Sequence, residues 1–79
     1  MSPTIFREGP YRFFFFSREE ERMHVHVGSS DGEAKFWLEP KLELAVNQGL
    51  PEREIGTIAK ILERRSDEVR AAWRRHFTS

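Results

Sequence analysis

His24-Val-His-Val-Gly-Ser-Ser-Asp-Gly-Glu-Ala-Lys-Phe-Trp-Leu-Glu-Pro40 consists of two runs of alternating residue type around Ser29-Ser30-Asp31-Gly32. Asp-Gly between alternating runs is a strong short-range signal for a tight reversal, because the turn's backbone readily takes positive φ there. The stretch therefore predicts a β-hairpin. Strand side chains alternate faces, so Val25 and Val27 share one side while His24 and His26 share the other. On the second strand Ala34, Phe36 and Leu38 form the apolar set and Lys35, Trp37 and Glu39 oppose it. If both apolar sets line a core, the outer face gathers two imidazoles, an ammonium, an indole and a carboxylate.

Working outward, Thr4 to Arg7 is a short β-prone run, Glu8-Gly9-Pro10 a turn, and Tyr11 to Ser17 a second run rich in aromatic residues. These predict an N-terminal hairpin. Within the run of four phenylalanines, Phe13 and Phe15 must point opposite to Phe14 and Phe16. Either both faces are covered, or one set of rings belongs to a contact surface. Arg18 to Arg22 has no apolar residue and reads as a solvated loop. Beyond Pro40, Leu42, Leu44 and Val46 alternate with Glu43, Ala45 and Asn47, which favours another strand.

From Pro51 the period changes. Ile55, Ile58, Ala59 and Leu62 recur at helical spacing, with Pro51 at the start and Glu52 and Glu54 suited to the positive end of the dipole. One helix is expected over Pro51 to Arg65. Ser66-Asp67-Glu68 has the composition of a cap with an acidic first turn, so a second helix should run from Asp67 to Phe77, its stripe formed by Val69, Ala72, Trp73 and Phe77. Strands followed by helices imply an α+β domain: an antiparallel sheet of four to five strands, with two C-terminal helices packed on one face. Residues 1–79 form a single domain on this reading, residues 1–49 giving the sheet and 50–79 the helices.

Composition narrows the function. Seventy-nine residues without a cysteine leave no disulfide, thiolate or Cys-zinc chemistry and suit a reducing compartment. The longest apolar run, Phe13 to Phe16, is too short to span a bilayer, so the expectation is a cytoplasmic protein without a membrane partner. Thirteen basic and thirteen acidic residues cancel, so binding to an anionic polymer requires local segregation of charge.

His24 and His26 can converge on one ligand. A metal would need further donors from Glu33, Glu39, His76 or an acidic loop residue, and Lys35 beside the pair would repel a cation, so no metal or cofactor is assigned. The catalytic reading gives His24 and His26 general acid–base roles on a phosphodiester, with Lys35 or Arg12 stabilising the phosphoryl charge. The binding reading gives Arg12, Phe14, Phe16 and Trp37 to a stacking platform for single-stranded nucleic acid or to a protein interface. Two histidines on a wet strand face also need no function at all. Arg70, Arg74 and Arg75 are explained by a solvated helix face.

Thr4-Ile-Phe-Arg-Glu-Gly-Pro-Tyr-Arg-Phe-Phe-Phe-Phe-Ser17, His24-Val-His-Val27, Glu33-Ala-Lys-Phe-Trp-Leu-Glu-Pro40 and the closing Ala72-Trp73 with Phe77 resemble the small bacterial family called domain of unknown function 4160. The resemblance covers nearly the whole chain. It implies a toxin–antitoxin-like module and a cognate protein partner of the domain of unknown function 2442 type, without an established reaction. In that family prolines usually precede the first histidine, where this chain has Arg22-Met23. The expected function is thus a module component working through His24, His26, Lys35 and Trp37, with RNA as the target if it is the toxic member. The competing expectation is a non-catalytic interaction module that docks its partner or self-associates.

Overall fold

A computed structural model describes residues 4–15 and 22–77. Among the described residues five strands, β1 (Thr4–Glu8), β2 (Tyr11–Phe14), β3 (His24–Gly28), β4 (Glu33–Trp37) and β5 (Glu43–Gln48), precede two helices, α1 (Glu52–Arg64) and α2 (Ser66–Phe77). The sheet is an antiparallel meander in chain order, which is the α+β arrangement expected. Phe16 and residues 18–21 of the proposed loop lie outside the described residues.

The central hairpin is registered by His24↔Trp37, Val25↔Phe36, His26↔Lys35, Val27↔Ala34 and Gly28↔Glu33. Its reversal differs from the expectation. Among the described residues positive φ occurs at Gly9 and Gly49, and Asp31-Gly32 does not use it. A four-residue loop closes instead through the Ser29 N–H donating to the Gly32 carbonyl at 3.0 Å. Gly32 is needed for space: a Cβ there would stand 2.2 Å from the Gln48 carbonyl oxygen, where β5 crosses the loop. At the first hairpin, Gly9 takes φ 58° and reverses the chain between Glu8 and Tyr11.

The inner face follows the alternation. Tyr11, Phe13, Phe15, Val25, Val27, Ala34, Phe36 and Leu38 are buried in one cluster with Ile58, Ile61, Leu62, Val69 and Trp73. The helices reach it because their apolar residues recur on one stripe. Fully burying an aliphatic or aromatic side chain is worth about 1.5–3 kcal/mol, so this layer is the dominant stabilising term. Arg65 separates the helices, and α2 begins one residue before its expected start. In β5 the alternation fails. A register shift opposite Lys35/Phe36 pairs Leu44 with Phe36 but Val46 with Lys35, so these two face opposite sides. Both are exposed. An extra residue in one strand reverses the parity beyond it, which is why period two misassigns them.

Charged contacts tie the first hairpin to the helices. Arg65 Nη1 donates to Glu8 Oε1 at 2.9 Å, Arg64 pairs with Glu8 Oε2, and the Arg65 guanidinium lies 3.5 Å over the Phe6 ring. Arg65 also grips Glu68 through two bonds of 2.8 and 3.0 Å. The Tyr11 hydroxyl donates to Glu54 Oε1 at 3.1 Å, and burial, then this bond, push its phenol pKa up. At the other end of the sheet Arg70 donates to the Leu38 carbonyl at 2.7 Å and pairs with Glu39 at 3.0 Å.

The hydrogen bond from Arg65, followed by that from Arg64, holds the Glu8 carboxyl below its ordinary pKa. A native pKa lower than the unfolded one stabilises the fold above the unfolded value, about 4.3, and that contribution disappears as pH falls through the native value. Urea unfolding should therefore show Glu8→Gln less stable than wild type at neutral pH, with the two midpoints converging in acid; a constant gap would contradict the assignment. In the core, Ile58→Val should cost about 1 kcal/mol.

Candidate functional site

The side of the sheet away from the core displays its residues in cross-strand rows. One row runs Arg7, Arg12, Gly28, Glu33, Gln48 across all five strands. The next runs Phe14, His26, Lys35, Val46, and the third His24, Trp37, Glu43. Residues scattered between positions 7 and 48 of the chain become neighbours because a meander pairs each strand with the next.

Rings and cations interleave on this face. The Arg12 guanidinium lies 4.4 Å over the Phe14 ring and its Nε donates to Thr4 Oγ1 at 2.7 Å. Phe14 stacks on His26 with centroids 5.5 Å apart. Trp37 is covered from two directions, by Arg22 at 4.1 Å and Lys35 at 4.5 Å. Arg22 is held in place by donating from Nε to the Glu39 carbonyl at 2.9 Å, and its other end is 3.9 Å from Glu43. A cation over an aromatic face is attracted by the ring quadrupole, worth about 0.5–1 kcal/mol where water has access.

The two histidines share a face but not an environment. Their centroids are 5.2 Å apart, yet His26 is half-buried while His24 is 0 % exposed. Trp37 lies beside His24 with centroids 5.8 Å apart, and Trp73 of α2 reaches it at 5.1 Å. Its Nδ1 stands 2.7 Å from the Arg22 carbonyl. A carbonyl only accepts, so Nδ1 carries the hydrogen, and in the neutral ring the lone pair belongs to Nε2. The burial is long-range in origin: His24 is the first residue of β3, and Trp73 of α2 packs on it.

The residues expected to form one open surface are thus brought together unequally. Arg12, His26, Lys35 and Trp37 are half-buried on the outer face; Phe14 belongs to it but is 3 % exposed. His76 lies elsewhere, stacked on Phe15 with centroids 5.7 Å apart. Among the described residues no three His, Cys, Asp or Glu side chains converge as a metal would require. Three contributors escaped the sequence reading. Arg7 and Gln48 join the surface only through pairing across the meander, and Arg22 sits in a stretch that reads as loop; its place two residues before the first histidine was the available signal.

Two hollows mark this surface. One, of about 220 Å³, is lined by His26, Glu33, Ala34, Lys35, Val46 and Gln48. The other, of about 350 Å³, is lined by Arg7, Pro10, Arg12, Gly28, Ser29, Ser30 and Glu33. Glu33 stands between them. Acid–base chemistry by two accessible imidazoles is poorly served, since one is sealed. Recognition of a planar, anionic ligand is well served, because guanidinium planes and rings are the groups on which bases stack.

The family model described as Domain of unknown function (DUF4160) matches residues 11–74. The chain belongs to this family. Comparison with curated proteins and with solved structures gives no match. Among the described residues no helix is long and apolar enough to cross a membrane.

Nitrogen NMR of the side chains should find neutral His24 as the Nδ1–H tautomer; the Nε2–H form would contradict the bond to the Arg22 carbonyl.

Proposed function

We propose that this protein is the RNA-binding component of a toxin–antitoxin-like module and that the outer sheet face is its binding surface. The supporting observation is the alternation of cations with rings: Arg12 on Phe14, Phe14 on His26, and Arg22 and Lys35 on Trp37. A single strand offers phosphates to the cations and base faces to the planes, and the combination tolerates many sequences. His26 and Lys35 act as contact groups. The burial of His24 between Trp37 and Trp73 gives it a positioning role, holding the Arg22 carbonyl and the end of β3. The chain then binds RNA without cleaving it.

A second reading is carried by β5. Leu44 and Val46 are 41 % and 46 % exposed on the last strand of the sheet. An edge strand with apolar side chains suits strand addition by a protein, either the partner of the domain of unknown function 2442 type or a second copy.

Fluorescence anisotropy of a labelled single-stranded RNA separates the two. Base stacking on an aromatic is worth about 1–3 kcal/mol, so Trp37→Ala should weaken binding by about fivefold or more. Lys35→Ala should reduce the slope of affinity against salt by about one. Failure of wild type to bind, or identical binding by Trp37→Ala, would overturn the RNA reading. Leu44→Lys, on the side of β5 that pairs with Phe36 and away from the outer face, should leave RNA binding intact and abolish co-purification with a coexpressed partner if β5 is the protein interface.

A further inference from the structure

From the hollow beneath the Ser29–Gly32 loop we infer a phosphate-binding seat built by Arg7, Arg12, Gly28, Ser29 and Ser30. As a seat for an RNA phosphate it rests on the reading above; as an anion site it stands on its own chemistry. Arg7 and Arg12 are directly paired across β1 and β2 on the outer face. Two guanidinium groups on neighbouring strands can bind the oxygens of one phosphate together. Ser29 Oγ accepts the Asp31 N–H at 3.1 Å, which leaves its own hydrogen to be donated elsewhere, and Ser30 lines the same hollow. Guanidinium and hydroxyl donors on one concavity are the groups that recognise phosphate oxygens.

Gly28 supplies the floor. It lies inside β3, paired with Arg12 on one side and Glu33 on the other, without positive φ. A glycine inside a strand weakens it and often marks close approach by a ligand. Among the described residues no packing demand explains this one: a Cβ added there would meet Glu33 Cγ at 3.6 Å and Phe14 Cε1 at 3.7 Å, ordinary contacts. A larger side chain would stand in the hollow itself. Glu33 forms the wall shared by the two hollows and its carboxylate repels an anion, so the phosphate is held on the Arg7 and Arg12 side, over β1–β3, with a base beside His26 and Gln48.

The test uses the full chain, inorganic phosphate followed by two-dimensional amide NMR, and a labelled single-stranded RNA followed by anisotropy. Phosphate should shift the Gly28, Ser29 and Ser30 amides and the Arg7 and Arg12 Nε resonances. Gly28→Val, which changes no charge and favours a strand, should keep the fold and weaken phosphate by about tenfold or more, as loss of charge-assisted bonds does. Arg7→Ala with Arg12→Ala should do the same. Phosphate binding lost in Gly28→Val while wild type ignores RNA would support the seat, refute the RNA reading and point to a free phosphorylated ligand. RNA binding by wild type that Gly28→Val leaves unchanged would overturn the seat while sparing the RNA reading. Absence of phosphate shifts at these residues would also overturn it.

Discussion

The constraint on which everything depends is the two-residue period of β3 and β4. Val25, Val27, Ala34 and Phe36 are sealed under the helices, so His26, Lys35 and Trp37 must occupy the other side. A slip of one residue would exchange these sets and bury an ammonium and an imidazole, at a cost far above the stability of a domain this size. Register is therefore enforced by the core, and the outer face is arranged as its consequence. The core and the outer face share the same strand hydrogen bonds and lie on opposite sides of them.

The helices contribute more than a lid. Arg64 and Arg65, at the junction of α1 and α2, clamp Glu8 and Phe6 of the first hairpin, while Arg70 secures Leu38 and Glu39 beyond β4. Both ends of the sheet are thereby fixed to the helical layer. Rigid support of this kind lets a small sheet present rings and cations at defined spacing, which lowers the ordering cost of binding. Trp73 extends the support across the sheet end by packing against His24.

Much of this was legible in the sequence. The hairpin centred on His24–Trp37, the switch from period two to helical spacing near Pro51, and the assignment of Val25, Phe36 and Leu62 to one core all follow from local pattern. Three things were not. The shift in β5 depends on backbone pairing, so Leu44 and Val46 looked equivalent. The burial of His24 depends on Trp73, nearly fifty positions later, and no local pattern reports it. Gly32 looked like a turn residue needing unusual φ, whereas it yields space to the Gln48 carbonyl. Arg12, Phe14, Lys35 and Trp37 share one side of the sheet, and cations cover its rings, which composition could not show.

On the proposed function, nucleic acid contacts the face opposite the helices. Photocrosslinking of a single-stranded RNA carrying 5-iodouridine, with the attachment site mapped by mass spectrometry, tests it most directly. Attachment at Trp37 or His26 is the predicted result; attachment confined to α1 and α2 would contradict it.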